Sequence, residues 1–275
     1  VKKGELIGEP GGFVSAPVHS SISGKVTAIA EFPNAMGRMV TSVFIENDGR
    51  EEWTALKDSP DYKNLSVDEL KEKIKSAGIV GLGGAAFPTS VKLSPPKEKH
   101  IDTVIINGAE CEPYLTADYR LMIERPDEII EGLRIIMKVL GVSKGFIGIE
   151  DNKPDAVERM TQAAGRDPEI MVLALEVKYP QGAEKMLIKA VTGREIHPRG
   201  LPMDVNVVVQ NVGTALAIYE AARFGKPLIE RVVTVTGEGI NRPSNLMVRI
   251  GTPVSALIDE CGGFRGISGK VIAGG

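Results

Sequence analysis

The 275-residue sequence predicts an α/β protein with a mainly parallel sheet and flanking helices. Three observations support this fold class. Residues 103–106 and 146–149 are short apolar segments typical of buried strands. Between them, residues 127–140 place their apolar side chains on one face of a helix that should end at Gly141. Strand, helix and strand in this order predict parallel neighbours joined by a crossover.

The alternation continues toward the carboxyl terminus. We expect a helix over 154–164 with proline in its first turn, a strand over 171–177, helices near 183–192 and 214–224, and a strand over 205–209. In open parallel sheets, ligands bind beyond the carboxyl ends of the strands. The segments after three predicted strands therefore become candidates for a binding site, and they are NGAECEP, KYPQGAEK and QNVGT.

Two smaller β modules flank this domain. Residues 1–50 are rich in Gly, Pro, Ser and Val, and their alternating stretches at 25–29 and 41–45 predict short strands without a helix. From residue 231 the sequence returns to β character, with one short helix over 254–261.

The most informative segment is GIVGLGGAAFPTSVK, residues 78–92. It follows a helix that should start with a capping box formed by Ser66 and Glu69 and should stop at Gly78. Glycines let the main chain approach a ligand closely, and successive N–H groups can converge on an anion such as phosphate. The alternative is a plain surface turn.

Composition excludes several classes of function. A net charge of -3 without a basic stripe argues against nucleic-acid binding, and the apolar runs are too short to span a bilayer. Cys111 and Cys261 form no metal-binding or disulfide pattern, which fits a reducing, cytosolic setting, and no metal site is expected. The sequence begins at Val1 without methionine, which suggests a trimmed chain.

Four segments together indicate a family. They are GLGGAAFPTSVKL (81–93), INGAECEPYLTADYRLM (106–122), YPQGAEKMLIKAVTGRE (179–195) and LPMDVNVVVQNVGTALAIYEA (201–221). Across nearly its whole length the chain resembles the C subunit of the Rnf ion-translocating electron-transport complex. It is more distantly similar to the FMN- and NADH-binding subunit of respiratory complex I.

This resemblance implies a site for FMN and NAD(H), with the hydride chemistry on the flavin and no catalytic side chain assigned. The residues expected to bind FMN are Gly81, Gly83, Gly84, Lys92, Asn107, Glu110, Gly182, Glu184, Gln210 and Asn211. Phe87 and Glu112 match positions on the nicotinamide side. Ala109, Ala183 and Leu82 depart from the complex I pattern, which has charged residues there.

From the residues alone, other interpretations stay open. Lys92 could be a solvated surface lysine, and the carboxylates of Glu110 and Glu112 could form a solvated acidic turn. If that loop is extended, the two carboxylates should point to opposite sides. Cys111 could be a reactive thiol, although a small buried filler is the more common role.

The resemblance also implies three domains: an incomplete lipoyl-like barrel-sandwich module over 1–55, a Rossmann-like FMN/NADH-binding domain over 56–228, and an SLBB-like β-grasp module over 229–275. Rnf C subunits carry two 4Fe-4S clusters in a further domain. Because no CxxCxxCxxxCP motif occurs here, we expect these clusters only beyond residue 275.

The implied function is electron transfer between NAD(H) and iron–sulfur clusters or ferredoxin through FMN. Ion translocation would occur elsewhere in the complex. The expected partners are other complex subunits and a ferredoxin or iron–sulfur subunit, and the expected location is peripheral, on the cytoplasmic face of the cell membrane. The alternatives are a cobalamin reductase of the same superfamily and a docking scaffold that has lost nucleotide binding.

Overall fold

Two antiparallel strand pairs form the amino-terminal part of the computed structural model, which describes residues 1–34, 36–266 and 269–274. Strand β1 (Leu6–Gly8) pairs with β2 (Val18–His19), and β3 (Gly24–Pro33) pairs with β4 (Met39–Asn47). The predicted alternating stretches lie inside β3 and β4. The long hairpin leaves most of its side chains exposed to solvent.

Helix α1 (Val67–Ser76) begins with the predicted capping box. The Ser66 hydroxyl accepts the N–H of Glu69 at 3.3 Å, and the Glu69 carboxylate accepts the N–H of Ser66 at 2.7 Å. The helix ends before Gly78, which adopts a φ of +68°. After the glycine-rich segment comes the single turn α2 (Thr89–Lys92).

The central sheet contains four parallel strands. They are β5 (Thr103–Gly108), β6 (Gly145–Glu150), β7 (Ile170–Leu175) and β8 (Val207–Asn211), in the spatial order β7-β6-β5-β8. All neighbouring pairs are parallel, as the sequence predicts. Of the four sheet strands, the first and the last in sequence, β5 and β8, are thus neighbours, and Asn107 pairs with Asn211.

Five helices accompany the sheet. They are α3 (Ala117–Glu124), α4 (Pro126–Leu140), α5 (Pro154–Ala164), α6 (Glu184–Thr192) and α7 (Val212–Phe224). The larger core joins one sheet face to α1, α4, α5 and α7, while α6 packs on the opposite face. Side chains of β5 alternate between these cores: Ile106 belongs to the first and Ile105 to the second.

Helices α4 and α7 cross closely because a glycine lies at the contact. A Cβ atom at Gly132 would lie 2.0 Å from the Ala215 carbonyl oxygen, so no larger residue fits without moving a helix. None of the helices in the described residues is both long and apolar enough to span a membrane.

The carboxy-terminal module contains the antiparallel pair β9 (Glu230–Val235) and β10 (Ser244–Arg249), followed by α8 (Val254–Glu260). It contacts the amino-terminal part through an ion pair between the Arg249 guanidinium and the Glu51 carboxylate. Ile267, Ser268 and Gly275, which belong to the predicted 229–275 module, lie outside the described residues. The three domain boundaries stay predictions.

The structure differs from the sequence prediction at several element ends. Strand β7 ends at Leu175, before the predicted end at residue 177. Residues Pro202–Val205 form a 3-10 turn, and β8 then runs through Gln210 and Asn211 until α7 begins at Val212. No loop therefore separates β8 from α7, although the polar QNVGT sequence predicts one. Helix α3 has no counterpart in the sequence prediction.

Candidate functional site

The glycine-rich segment forms a closed loop beside the sheet. Val80 and Pro88 form an antiparallel bridge at its base, and the N–H of Gly81 donates to the Phe87 carbonyl at 2.9 Å. Gly83 and Gly84 at its tip are exposed, and a Cβ atom at Gly84 would meet no other atom within 4 Å. The loop therefore presents free backbone to the outside, as a ligand-binding loop requires.

Gly83 contacts the end of β8. A Cβ atom at Gly83 would lie 2.9 Å from Asn211 Nδ2, so only glycine fits against the Asn211 side chain without displacing it. Asn211 also caps α7, because its Oδ1 accepts the N–H of Gly213 at 2.8 Å. The glycine loop and the QNVGT segment are thus in direct contact.

Lys92 lies at the end of α2 and reaches two other elements. Its Nζ donates to Glu184 Oε1 at 2.8 Å and to the Val209 carbonyl at 2.7 Å. The two side chains are 30% and 39% exposed, so the ion pair contributes about 1 kcal/mol or less. The pair can therefore open for a ligand at little cost. The structure places Lys92 at the site, which argues against a free surface lysine.

The loops that follow β5 and β7 meet each other. Asn107 Nδ2 donates to the Gly182 carbonyl at 2.8 Å, and Asn107 Oδ1 accepts the N–H of Ala109 at 3.0 Å. A Cβ atom at Gly182 would lie 2.5 Å from the Ala109 carbonyl oxygen. The N–H of Gly182 also donates to Sγ of the half-buried Cys111 at 3.4 Å.

Glu110 faces the beginning of α3. Its two carboxylate oxygens accept the N–H groups of Asp118 and Tyr119, each at 3.1 Å. These groups have no partner within the helix, and the carboxylate supplies the missing cap. In this arrangement Glu110 holds α3, and contact with a flavin stays a prediction.

Asp118 lies beside Glu110 in the first turn of α3. Its Oδ2 accepts a hydrogen bond from Asn211 Nδ2 at 2.6 Å. Burial and, after it, the negative charge of Glu110 raise the pKa of Asp118 to about 7, while Asn211, Arg231 and Lys153 act in the opposite direction. The carboxyl group therefore titrates near neutral pH.

The two residues expected on the nicotinamide side lie at the edge of the site. Phe87 is 43% exposed at the base of the glycine loop, and Glu112 lies in the loop between β5 and α3. The exposed ring of Phe87 is available for stacking, but no contact in the structure tests either assignment.

Several buried polar side-chain atoms on these and neighbouring segments have no hydrogen-bond partner in the described residues. Five buried side-chain atoms in the described residues have no hydrogen-bond partner, and four of them lie at or after the carboxyl ends of strands or in α2: Thr89 Oγ1, Glu150 Oε1, Gln181 Oε1 and Gln210 Nε2. Buried polar groups are normally satisfied, and each exception needs an explanation. A polar ligand with acceptors and donors, such as the isoalloxazine and ribityl chain of FMN, fits this set.

The structure thus brings the four sequence segments to one edge of the sheet. The glycine loop contacts Asn211, Lys92 contacts Glu184, and Asn107 contacts Gly182. The ten residues predicted to bind FMN lie on these segments. Their individual contacts to a cofactor remain predictions.

Comparison with known proteins identifies the family. The family model described as the Nuo51 FMN-binding domain matches residues 74–220, which is more than half of the chain. The chain belongs to this family. The RnfC barrel sandwich hybrid domain matches residues 1–50, and the SLBB domain matches residues 232–270. Both flanking modules agree with the predicted fold class.

Curated relatives confirm the resemblance stated from the sequence. The chain is 51% identical over 273 residues to the C subunit of the Na(+)-translocating ferredoxin:NAD(+) oxidoreductase complex of Acetobacterium woodii, covering 99% of this chain and 62% of that protein. It is 52% identical over 276 residues to the C subunit of the proton-translocating ferredoxin:NAD(+) oxidoreductase complex of Clostridium ljungdahlii, covering 100% of this chain and 60% of that protein. The chain therefore spans about three fifths of the length of these relatives.

A more distant relative and the solved structures agree with the fold. The C subunit of the ion-translocating oxidoreductase complex of Rhodobacter capsulatus is 46% identical over 280 residues, covering all of this chain and 54% of that protein. An NAD+-reducing NiFe hydrogenase in its air-oxidized state matches with a TM-score of 0.59 at 20% identity, covering 71% of this chain and 39% of that chain. At that identity the match supports the fold alone.

Three residues at the site are not singled out by the sequence pattern: Asp118, Thr214 and Arg231. Thr214 Oγ1 accepts the N–H of Leu82 at 3.0 Å, and Arg231 Nη2 donates to the Leu82 carbonyl at 2.9 Å. Asp118 and Thr214 lie inside the quoted family segments, so they could have been added as candidates. Nothing near Arg231 in the sequence indicates a contact 149 positions away.

Proposed function

We propose that this chain is the NADH- and FMN-binding part of a membrane-associated electron-transport complex. It would pass electrons between NAD(H) and iron–sulfur clusters or ferredoxin, coupled elsewhere in the complex to ion translocation. The observation that carries the proposal is the meeting of four family segments at the carboxyl edge of one parallel sheet. Ligands of open α/β sheets bind at this edge.

The flavin phosphate end is assigned to the glycine loop and Lys92. Gly83 and Gly84 expose backbone that can approach an anion, and the Lys92 ammonium lies at the same edge of the sheet. Release of Glu184 from Lys92 would free the Lys92 ammonium for the phosphate. The unpaired Gln210 Nε2 is a donor suited to a flavin carbonyl or ring nitrogen.

The nicotinamide end is assigned to Phe87 and Glu112. Phe87 would stack on a ring of the dinucleotide, and Glu112 would accept a hydrogen bond from a ribose hydroxyl or the carboxamide. When bound, FMN would accept a hydride from NADH and release electrons one at a time. The protein's part is to place the two ring systems and to exclude water.

The partners and location follow from the same proposal. Other subunits of the complex and a ferredoxin or iron–sulfur subunit would exchange electrons with this chain. We expect it to be peripheral, on the cytoplasmic face of the cell membrane. Copurification of the protein with membranes from cells that make the complex, and its release by salt washing, would test that location.

The cofactor assignment is tested by titrating the 275-residue chain with FMN and, separately, with riboflavin, which lacks the phosphate. Flavin fluorescence reports binding, and loss of the yellow absorbance on addition of NADH reports reduction. Replacement of Lys92 by Met should weaken FMN binding at least about tenfold, the equivalent of about 1.4 kcal/mol, and change riboflavin binding less than about twofold.

Lys99→Met is the matched control, because Lys99 pairs with Asp204 at the opposite end of the sheet. This variant should bind both flavins as the unmodified chain does. Failure of the unmodified chain to bind FMN would refute the proposal and favour the docking scaffold. An equal loss of FMN and riboflavin in Lys92→Met would refute the phosphate role of Lys92.

A further inference from the structure

Leu82, inside the glycine loop, is held at both of its backbone polar groups by side chains from other elements. Its N–H donates to Thr214 Oγ1 of α7 at 3.0 Å, and its carbonyl accepts from Arg231 Nη2 of β9 at 2.9 Å. An ordinary surface turn satisfies its backbone within itself or with water. These two hydrogen bonds with other elements therefore restrain the loop at Leu82, one to the buried Thr214 hydroxyl and one from the exposed Arg231 side chain.

A second anchor acts on the neighbouring residue. Gly83 rests on the side chain of Asn211, and both ends of that amide are fixed. Asn211 Oδ1 accepts from the N–H of Gly213, and Nδ2 donates to Asp118 Oδ2 at 2.6 Å. Asp118 thus helps to fix the position of the Asn211 side chain, against which Gly83 packs.

The carboxy-terminal module supports the same region at another point. The N–H of Thr116 donates to Thr234 Oγ1 of β9 at 3.2 Å, and the Thr116 hydroxyl lies 2.9 Å from Asn245 Nδ2 of β10. Thr116 immediately precedes α3, the helix that carries Asp118. The β9–β10 pair therefore contacts the glycine loop directly through Arg231. The same pair also holds Thr116 at the start of α3.

From these contacts we infer that Arg231 and Asp118 are positioning residues that preset the glycine loop for the phosphate end of a flavin nucleotide. The inference rests on the proposed function for the identity of the ligand. Arg231 acts through the Leu82 carbonyl, and Asp118 acts through the Asn211 amide. Neither residue needs to touch the cofactor. The carboxy-terminal module thereby contributes to cofactor affinity.

The first test needs no cofactor. Hydrogen exchange at the amides of residues 81–87 is measured on the ligand-free chain, with Leu82 as the main reporter because its N–H is bonded to Thr214. Arg231→Gln should accelerate exchange at Leu82 about tenfold, and Arg231→Lys, which keeps a cationic donor, should restore most of the protection. Arg242→Gln is the matched control, since Arg242 donates to the Glu260 carbonyl within the same module.

The second test uses the charge of Asp118. Asp118→Asn keeps the shape and the acceptor oxygen but removes the charge, so its bond from Asn211 is weaker. At about pH 8 this variant should bind FMN about threefold to tenfold more weakly than the unmodified chain. Asp155→Asn is the control, because Asp155 accepts from the hydroxyl of Tyr119, the next residue on α3, at 2.5 Å and has no hydrogen bond to Asn211 or to the glycine loop in the described residues.

FMN affinity measured as a function of pH tests whether the charge of Asp118 positions the glycine loop or whether the residue only supports the fold. The pKa of Asp118 lies at about 7 beside Glu110, Arg231 and Lys153, so protonation between about pH 8 and about pH 6 should weaken FMN binding by the unmodified chain. Asp118→Asn should lack this component of the pH dependence. Equal behaviour of Arg231→Gln and Asp118→Asn with their controls, in both exchange and affinity, would overturn the inference.

The two proposals fail in different ways. A chain that binds no FMN, but whose Leu82 amide loses protection in Arg231→Gln, would refute the proposed cofactor and keep the positioning roles. If the unmodified chain, Arg231→Gln and Asp118→Asn all bind FMN equally well, the positioning roles are refuted and FMN remains the proposed cofactor. If Asp118→Asn does not fold, the Arg231 series alone decides.

Discussion

The two ends of the central sheet differ in how completely their buried polar groups are hydrogen-bonded. At the amino end, Asp102 receives two hydrogen bonds from Arg194, at 2.7 and 3.0 Å, and another from the Thr103 hydroxyl. Arg194 also donates to the Val205 carbonyl at 2.8 Å. This end is a closed network in which a charged pair ties the segment after α6 to the start of β5.

At the carboxyl end, Asn107 and Asn211 are also hydrogen-bonded, but some buried polar atoms have no partner in the described residues. Gln210 is 3% exposed and Gln181 is 3% exposed, yet each has an unsatisfied amide atom in the described structure. Leaving such a group unpaired costs about 1–3 kcal/mol. The unpaired atoms at the carboxyl end therefore cost stability in the ligand-free protein, whereas the network of Asp102 and Arg194 at the amino end is satisfied.

The largest effect is expected where the two site loops touch. Gly182→Ala would place a Cβ atom 2.5 Å from the Ala109 carbonyl oxygen, and the loops after β5 and β7 must separate. We expect the unfolding free energy to fall by about 1–3 kcal/mol and FMN binding to weaken at least about tenfold. Denaturant unfolding and flavin titration measure the two changes.

Gly239→Ala serves as its control, because a Cβ atom there would meet nothing within 4 Å. It should change neither quantity measurably. If Gly182→Ala binds FMN normally, the contact between these loops does not shape the site, and the comparison loses its strongest support.

The next effect concerns the amino end. Arg194→Met removes the partner of Asp102 and should lower the unfolding free energy by about 1 kcal/mol, a modest value because both side chains are about one-third exposed. FMN affinity should not change. A parallel loss of FMN affinity would show that the two ends are not independent.

The destabilisation caused by Arg194→Met should also depend on pH. The Arg194 guanidinium lowers the pKa of Asp102 below its usual range, so this contribution to stability is present above the unfolded-state pKa of about 4. It is lost as the pH falls through the lower folded-state pKa. Arg194→Met should therefore destabilise the protein at about pH 7 and have a smaller effect at about pH 3.

A smaller effect of opposite sign is expected at Gln210. Gln210→Met removes the unpaired donor and keeps the length of the side chain, so the unfolding free energy should rise by about 0.5–1 kcal/mol and the melting temperature by about 2 °C. FMN binding should weaken at the same time. The exposed Gln162 offers the control, because Gln162→Met should alter neither property by a comparable amount.

The smallest effect is expected at Thr89, which is 1% exposed and has an unpaired hydroxyl. Thr89→Val replaces that hydroxyl by a methyl group of the same shape and should stabilise the protein by about 0.5 kcal/mol. Thermal unfolding of both proteins measures the change. Destabilisation would mean that the hydroxyl is satisfied in solution and that the contrast between the two ends is smaller than described.

Much of the main domain could be predicted from the sequence, because its signals are local. Helix α5 has the predicted bounds, α4 begins one residue early, and the capping box at Ser66 forms as expected. The fall in hydrophobicity after Val209 predicts the end of β8 at that residue. In the structure, backbone pairing with β5 continues through Gln210 and Asn211 despite their polar side chains.

The support of the site could not be predicted, because it depends on partners far apart along the chain. Asn211 meets Asp118 across 93 positions, and Leu82 meets Arg231 across 149. Periodicity contains no information on such pairs. Glu110 illustrates the same limit: its neighbours suggest a loop carboxylate, whereas its position is set by the free N–H groups at the start of α3.

The direct junction between β8 and α7 restricts how this protein can vary in length. Asn211 is the last residue of the strand and also caps the helix, so no spare residue exists between them. One inserted residue would turn α7 by about 100° and rotate Gly213, Thr214 and Ala215 away from their present neighbours. Insertions and deletions should therefore be tolerated at the exposed tips of the flanking β modules, while this corner keeps a fixed residue count.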